Sequence, residues 1–222
     1  MKKIFLILLS ILITYNLIGQ DKTNVISKKG YTLTVINKDP EFDQSIVKEL
    51  EETFFKVYLK LVKQFNKNSA KNITFIIDPD YDGVAATSNG KVVYSTQWFR
   101  KNPKDIDVVT HEVMHIVQNY GNTKGPLWVT EGIADYARYK FGVANEEANW
   151  TLPDVKPEHN YKNAYRITAR FFVWLEKRKD KKIIHKLDKV MRDNTYTDNI
   201  WLELTGQTVD ELWAESVHNP KI

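Results

Sequence analysis

The chain has 222 residues, of which 42% are hydrophobic and 27% are charged, and it contains no cysteine. This composition is typical of a globular protein and excludes a mainly disordered, collagen-like or coiled-coil chain. Without cysteine there is no disulfide, no thiolate-ligated zinc, no iron–sulfur cluster and no thiol nucleophile. Any metal must therefore be held by His, Asp or Glu. The formal net charge is +4.

The first 20 residues predict an export signal. Two lysines precede an apolar run at 4–18, and small or polar residues follow at 19–20. The run is shorter than the ~20 residues that a membrane span needs. Removing this segment takes away two lysines and no acidic residue, so the formal net charge falls from +4 to +2. We therefore expect an exported chain, periplasmic or secreted, without a stable membrane anchor after cleavage. The remaining basic residues form no stripe, so we expect no nucleic-acid partner.

The first part of the mature chain, about residues 30–104, is predicted to be rich in strands. Tyr31–Ile36 alternates and is β-branched, as is typical of a strand. Apolar residues at helical spacing over Phe42–Phe65 predict a long helix. Asn72–Asp78 predicts a second strand, and Val84–Ser95 predicts a pair of short strands around an Asn-Gly turn.

From residue 105 onward the apolar spacing predicts helices. They cover 105–120, 128–141, 163–178, 181–193 and about 209–217, with a polar loop at 145–160. Because the strands come first and the helices follow, the order favours an α+β domain over a doubly wound sheet. We expect residues 21–222 to form one domain and to act as a monomer, with a small, mostly antiparallel sheet followed by a helical part at 105–217.

One of these helices carries a metal-binding motif, His111-Glu112-Val113-Met114-His115. On a helix, His111 and His115 lie one turn apart on the same face, so both imidazoles can reach one cation. Glu112 is rotated about 100° from them and can hold a water beside that cation. Zinc suits two imidazoles and a carboxylate with an open fourth position. The apolar neighbours of the motif argue against an incidental pair of surface histidines.

The third ligand decides the kind of metal site. Metzincins need Gly three residues after the second His and another His three residues later, but this chain has Gln118 and Gly121 there. The other option is Glu131, on the following predicted helix. Asp135 lies four residues further along the same face, where it can accept a hydrogen bond from the free ring nitrogen of a ligand histidine. The pattern therefore predicts a site completed by Glu131 and supported by Asp135.

Longer stretches of the sequence resemble a known family. They are DGVAAT (82–87), HEVMHIVQ (111–118), WVTEGIADYARY (128–139), AYRITARFFVWLE (164–176) and TVDELW (208–213). HEVMH followed by WVTEGIADY is similar to the gluzincin metallopeptidases. The whole set, over about residues 30–217, resembles more closely the basic secretory protein family of plant and bacterial peptidases. This resemblance implies a zincin-like fold, one zinc ion per chain bound by His111, His115 and Glu131, and hydrolysis of peptide bonds.

The expected mechanism is metal-assisted amide hydrolysis. Glu112 is expected to act as the general base on a zinc-bound water and to pass the proton to the leaving amine. A second donor should stabilise the oxyanion. We favour Tyr165 as this donor, because it stands at the start of a predicted helix where related gluzincins place a Tyr or His. Tyr161 and His159 remain alternatives.

The short strands before the metal helix predict where a peptide substrate lies. Zincins have an edge strand at this point of the chain, so Ala85, Ala86 and Thr87 are expected to pair with an extended peptide. The chain lacks the Gly-x-Met-Glu-Asn element by which aminopeptidases of this class hold a substrate's amino terminus, which favours an endopeptidase. The alternative is a non-enzymatic zincin-fold protein that holds a peptide or a glycan in the cleft.

Two further features of the sequence allow more than one interpretation. Asp78, Asp80 and Asp82 follow the spacing of the first half of a calcium loop, although Asn89 stands where such a loop has its final glutamate. Gln118 lies on the same side of its helix as His115. Contact with the metal site and a buried, satisfied amide are equally compatible with that position.

Overall fold

The computed structural model describes residues 21–222. The predicted export signal, residues 1–20, lies outside this range. Within the described range, no helix combines the length and the hydropathy that crossing a membrane requires.

Five strands form one mixed sheet. They are β1 (Lys22–Lys28), β2 (Tyr31–Asn37), β3 (Asn72–Asp78), β4 (Ala85–Ser88) and β5 (Lys91–Ser95), in the spatial order β1-β2-β3-β5-β4. β1 pairs antiparallel with β2, and β4 with β5. The pairs β2–β3 and β3–β5 are parallel. The prediction of a mostly antiparallel sheet is therefore wrong. β2 and β3 are parallel because the chain crosses over between them through the helix α1 (Gln44–Gln64). β3 and β5 are parallel because the chain first runs to the edge strand β4 and then turns back into β5, which lies between β3 and β4.

Eight helices accompany the sheet within the described residues. They are α1 (Gln44–Gln64), α2 (Thr96–Lys101), α3 (Val108–Gln118), α4 (Leu127–Phe141), α5 (Tyr165–Arg178), α6 (Ile183–Arg192), α7 (Ile200–Thr205) and α8 (Val209–His218). The α+β class is confirmed, and each helix predicted after residue 104 begins and ends within three residues of its predicted bounds. The sequence patterns did not predict β1, α2 or α7. β1 is polar and mostly exposed, and the two helices have only six residues each.

One apolar core joins the sheet to the helices. Alternate side chains of β2 and β3 point into the core, and the apolar face of α1 packs against them. Phe54 of α1 meets Phe75 of β3 edge to face, with ring centroids 5.5 Å apart. α1 begins at Asp43, whose carboxylate accepts a hydrogen bond from the Ser45 N–H at 2.8 Å. α3 is buried along most of its length, because it lies against α1 and β4 on one side and α4 on the other.

α4 and α5 approach each other closely at Gly132. A Cβ at this position would lie 2.3 Å from the Cγ2 of Thr168 and 2.9 Å from the Cε2 of Phe172. Only a residue without a side chain fits at that separation. Gly132 follows Glu131 directly, so the close approach brings the start of α5 next to the predicted metal ligand.

Candidate metal centre

α3 brings the two histidines of the HExxH motif together. His111 and His115 are one turn apart, and their Nε2 atoms lie 3.1 Å from each other. The rings meet edge to face, with centroids 4.8 Å apart. Apolar neighbours on the rest of the helix are fully buried, among them Val109, Val113 and Met114. The burial of that side fixes the rotation of α3 and leaves both imidazoles facing one point.

α4 adds a carboxylate at the same point. Glu131 Oε2 lies 3.2 Å from His111 Nε2 and 3.5 Å from His115 Nε2. In residues 21–222, this trio is the one group of three or more His, Cys, Asp or Glu side chains that could hold a metal ion. The three predicted ligands thus lie together, although each comes from a helix that packs mainly through apolar contacts.

The outer nitrogens of both imidazoles are already engaged. His111 Nδ1 lies 2.7 Å from Asp135 Oδ1, and His115 Nδ1 lies 2.7 Å from Gln118 Oε1. A carboxylate and an amide oxygen are acceptors, so both Nδ1 atoms act as donors. The neutral tautomer of each ring therefore presents a bare lone pair on Nε2. Two lone pairs and a carboxylate oxygen that face one another require a positive charge between them.

The pKa values express the same requirement. Burial disfavours a charged imidazole, yet hydrogen bonds with Asp135 and Glu131 outweigh it and raise the pKa of His111 to about 10. Burial also disfavours a charged carboxylate, but hydrogen bonds with His111 and His115 outweigh it and lower the pKa of Glu131 to about 2. Either a proton on His111 or a metal cation can supply the missing charge.

The spacing of the three atoms fits zinc. Zinc binds nitrogen and oxygen at about 2.0–2.2 Å, so two ligands of a tetrahedral site lie ~3.3 Å apart. The observed separations of 3.1, 3.2 and 3.5 Å bracket this value. The residues present therefore fit a zinc ion with three protein ligands.

Glu112 is held beside the ligands by the edge strand. Its side chain is buried, and its Oε2 accepts a hydrogen bond of 2.6 Å from the Thr87 hydroxyl of β4. Among the described residues, no group donates a hydrogen bond to its other oxygen, Oε1. One oxygen thus anchors the carboxylate, and the second can accept a proton.

Of the three candidate oxyanion donors, Tyr165 alone lies at the metal centre. Its ring stacks on His111 with centroids 6.1 Å apart, and 54% of its surface is exposed. The negative charge of Glu131 raises the pKa of its hydroxyl. Ala164 and Tyr165 have φ angles of 62° and 50°, in the left-handed region that is costly for residues with a Cβ. This strained backbone lies at the start of α5, at the residue whose ring contacts His111.

The two alternative donors lie elsewhere. Tyr161 is buried and donates its hydroxyl to Asp210 at 2.8 Å. His159 borders a small apolar cavity beside Trp174, and its Nδ1 accepts a hydrogen bond from the Lys156 N–H. Neither residue borders the cavities next to the metal ligands.

β4 lies at the edge of the sheet and faces the metal helix. The Ser95 N–H donates to the Val84 carbonyl, which makes these two residues a hydrogen-bonded pair of the antiparallel ladder. Such pairs alternate along a strand, so Ala86 uses its main chain toward β5. The main-chain groups of Ala85 and Thr87 point the other way, outward from the sheet. The Ala85 carbonyl already accepts a hydrogen bond from the Tyr81 hydroxyl, at 3.2 Å.

Two cavities flank the metal ligands. The larger, about 810 Å³, lies on the side of His111 and Tyr165. The smaller, about 400 Å³, lies on the side of His115 and Glu131. Glu112 borders both, so an extended chain can pass the site with residues on either side.

Buried charges support the wall of the larger cavity. Arg138 is ion-paired with Asp105, and its Nε donates to Asn145 at 3.0 Å. Its guanidinium carbon lies 4.5 Å from the ring centroid of Trp150, which borders the cavity. This network ties the loop after α4 to the metal-binding helices.

The possible calcium loop has another explanation. Asp78 pairs with Lys38 at 2.8 Å, and its second oxygen accepts the Asp80 N–H. This arrangement is a turn at the end of β3. Asp78, Asp80 and Asp82 do not form a metal-binding group in the described part of the chain.

One contact of the site was missed by the sequence patterns, the hydrogen bond from Thr87 to Glu112, because no local spacing relates β4 to α3. The position of Gln118 was left open between contact with the site and a buried, satisfied amide, and both hold: its amide oxygen contacts His115 Nδ1 and its NH₂ group donates to the Thr130 carbonyl.

Comparisons with known proteins identify a family and a shared fold. The profile of a family described as peptidases of plants and bacteria matches residues 26–216. The resemblance to the basic secretory protein family is thereby confirmed. Among curated proteins, none matches this sequence.

Solved structures of M1 metallopeptidases share the fold at low sequence identity. One is an M1 zinc metallopeptidase variant from Deinococcus radiodurans bound to a Tyr-Ser-Ala substrate, with 14% identity, a TM-score of 0.51, and coverage of 89% of this chain and 51% of that one. Aminopeptidase A from Legionella pneumophila has 16% identity and a TM-score of 0.54, over 90% of this chain and 26% of that one. An aminopeptidase N family protein from Idiomarina loihiensis has 11% identity and a TM-score of 0.54, over 90% and 46%. The chain thus spans about half or less of the length of these proteins.

Proposed function

This chain belongs to the family of peptidases of plants and bacteria, and from that premise we propose that it is an exported, zinc-dependent endopeptidase with one zinc ion per chain. One observation carries the proposal. His111 Nε2, His115 Nε2 and Glu131 Oε2 face one another at 3.1–3.5 Å, while Asp135 and Gln118 occupy the opposite ring nitrogens. A metal cation at this point would contact all three atoms at once, whereas a single proton on His111 could not.

The residues around this cluster match the parts that amide hydrolysis needs. Zinc, when bound, would polarise the peptide carbonyl and lower the pKa of a water to about 7. The free oxygen of Glu112 accepts a proton from the attacking water and returns it to the leaving amine. Thr87 keeps that carboxylate in place. Tyr165 is proposed to donate its hydroxyl to the oxyanion, because its ring stacks on that of His111.

The substrate is proposed to be an extended peptide that runs along β4. The outward main-chain groups of Thr87 and the Ala85 N–H can form the hydrogen bonds of an added strand, with Ala86 between them. The cavities on both sides of Glu112 accommodate residues before and after the cleaved bond. This openness at both ends is the reason for preferring an endopeptidase to an exopeptidase.

The chain is also proposed to be exported and to act as a monomer. The export proposal rests on the sequence of residues 1–20, with its lysines and its short apolar run. Because it has no cysteine, an exported form of this chain would depend on its apolar core, helped by a bound metal, for stability.

A digest of doubly blocked peptides tests the proposal directly. The mature chain is loaded with one equivalent of zinc and incubated with a peptide pool that carries acetyl and amide ends. Internal cleavage that stops on zinc removal and returns on zinc addition is expected. No cleavage of the blocked pool, together with cleavage of the same peptides when their amino ends are free, would replace the endopeptidase by an aminopeptidase.

The competing proposal is a non-enzymatic protein that holds a peptide or a glycan in the cleft. It predicts peptide binding without hydrolysis at any zinc loading. A wild-type chain that fails to bind stoichiometric zinc would contradict the metallopeptidase itself.

A further inference from the structure

The two histidines of the metal centre have partners of different charge. His111 is supported by the carboxylate of Asp135, which comes from α4. His115 is supported by the neutral amide of Gln118, which ends α3 and is 1% exposed. Supporting carboxylates are a common arrangement, so the amide calls for an explanation of its own.

The orientation of the Gln118 amide is fixed by a second contact. Its Nε2 donates to the Thr130 carbonyl at 2.8 Å. A carbonyl can only accept, so the NH₂ group must face Thr130 and the oxygen must face His115. His115 Nδ1 therefore donates to that oxygen, and its Nε2 carries the lone pair directed at Glu131.

The same contact ties His115 to the helix that carries the third ligand. Thr130 directly precedes Glu131 on α4, so a chain of two hydrogen bonds runs from the His115 ring to the main chain beside Glu131. His111 reaches α4 through Asp135. Both ligand histidines of α3 are thus joined to α4, on either side of the glutamate.

The end of α3 is itself held in place. Arg192 donates to the carbonyls of Val117 and Gln118, and its guanidinium pairs with the buried Asp188. Asn66 donates its amide to the Val117 carbonyl at 2.9 Å. The main chain of Gln118 is therefore fixed independently of its side chain. The side-chain amide is not needed to hold the end of α3 in place, so its contact with His115 needs a separate explanation.

We propose that Gln118 is a positioning residue of the metal centre: its amide fixes the tautomer and ring orientation of His115 and links that ring to the main chain next to Glu131. This inference rests on the proposed zinc site. An amide serves both partners at once, whereas an ionised glutamate could accept from His115 but could not donate to Thr130. It would also add a negative charge to a site that already contains Glu131 and Asp135.

Zinc affinity and a cobalt spectrum test the proposal without any assay of activity. In Gln118→Leu both hydrogen bonds are lost, and we expect zinc affinity, measured by competition with a chelator, to fall by about 10–100-fold. The visible absorption of the Co²⁺-substituted chain should change in band position or intensity, because His115 is free to turn. In Gln118→Glu the acceptor for His115 remains, so the loss should be smaller than in the leucine variant.

Asn66→Leu provides the matched control. It removes a buried amide that binds the same end of α3 but does not touch His115. Its zinc affinity and cobalt spectrum should equal those of the wild type, even if its thermal stability falls. Equal losses in Asn66→Leu and Gln118→Leu would show a general disturbance of the helix end and would overturn the proposal.

The remaining outcomes separate this inference from the proposed function. A wild type that binds no zinc contradicts both. A wild type that binds zinc and cleaves peptides, together with unchanged affinity and spectrum in Gln118→Leu, overturns the role of Gln118 alone. Equal losses in the leucine and glutamate variants would also overturn it, because the acceptor for His115 would then be irrelevant.

Discussion

The two halves of this molecule bury different kinds of side chain. The sheet half, residues 22–101, contains β1–β5 with α1 and α2, and the helical half, residues 105–218, contains α3–α8. Asp39 is the one buried charged residue of the sheet half within the described chain. The helical half buries five, namely Asp107, Glu112, Asp135, Arg138 and Asp188.

This difference separates the sources of stability from those of function. Burying an ionised group is unfavourable unless partners compensate it, whereas burying apolar groups stabilises the fold directly. The sheet half therefore acts mainly as a scaffold. In the helical half, Glu112 and Asp135 are held at the proposed zinc site. Arg138 and Asp188 form ion pairs that fix the surrounding helices. Substitutions in the two halves should accordingly affect different measurements.

The largest effect is expected from Glu112→Gln in the helical half. The amide can still accept from Thr87 but cannot take a proton, so kcat should fall by about 10²–10⁴-fold while zinc stoichiometry and unfolding stay unchanged. Steady-state cleavage and metal analysis measure both. Glu146→Gln, at an exposed glutamate of the loop after α4, is the control and should retain full activity. Full activity of the Glu112 variant would refute its role as base.

Phe75→Ala should have the converse effect. Phe75 is fully buried in β3 against Phe54, so its truncation should lower the free energy of unfolding by about 3–5 kcal/mol. Urea denaturation measures this loss, and zinc affinity at low urea should remain that of the wild type. Val25→Ala, at a side chain that is 61% exposed, should be nearly neutral. A fall in zinc affinity of the folded Phe75 variant would break the separation of the two halves.

Tyr165→Phe tests whether position within the helical half decides the effect. Loss of the hydroxyl should lower kcat by about 10²-fold with little change in KM, because the oxyanion donor acts only in the transition state. Tyr161→Phe, four residues earlier, removes a buried hydrogen bond to Asp210 and should reduce stability but not kcat. A reversed pattern between the two tyrosines would assign the donor to Tyr161.

The smallest effect is expected at helix starts, where the halves should behave alike. Asp43 is the N-terminal cap of α1 and Thr208 is that of α8. Each side chain accepts a hydrogen bond from a main-chain N–H. Asp43→Ala and Thr208→Ala should each cost about 1 kcal/mol in the free energy of unfolding, with zinc binding and cleavage unchanged. A loss of zinc affinity in either variant would mean that the metal centre senses overall stability as well as its own contacts.

Local patterns predicted most of the elements and the three side chains that meet at the candidate metal centre. Helical spacing located α3, α4 and α5, because each buries one continuous face. The positions of His111, His115 and Glu131 followed from the geometry of two helices and the chemistry of zinc. The i, i+4 spacing likewise indicated that Asp135 could support a ligand.

Tertiary relations were beyond the reach of those patterns. The polar strand β1 pairs with β2 through its main chain, which leaves little signal in its side chains. The position of β4 outside β5 depends on how the chain crosses over, so no local spacing could reveal that Thr87 meets Glu112. The resemblance favoured Tyr165 over Tyr161 and His159, but the contact of its ring with His111 depends on how α5 packs and could not be predicted from local spacing.

The close packing at Gly132 relates the spacing of α4 and α5 to the width of the cleft. Tyr165 stands three residues before Thr168, the residue that lies against Gly132, so the spacing of α4 and α5 there sets how far the tyrosine stands from His111. Any larger side chain at position 132 must displace α5, because Thr168 is too short and stiff to move aside. Protein engineers could therefore alter the bulk of substrate that the enzyme admits by changing the contact between positions 132 and 168, while every group that takes part in the chemistry keeps its identity.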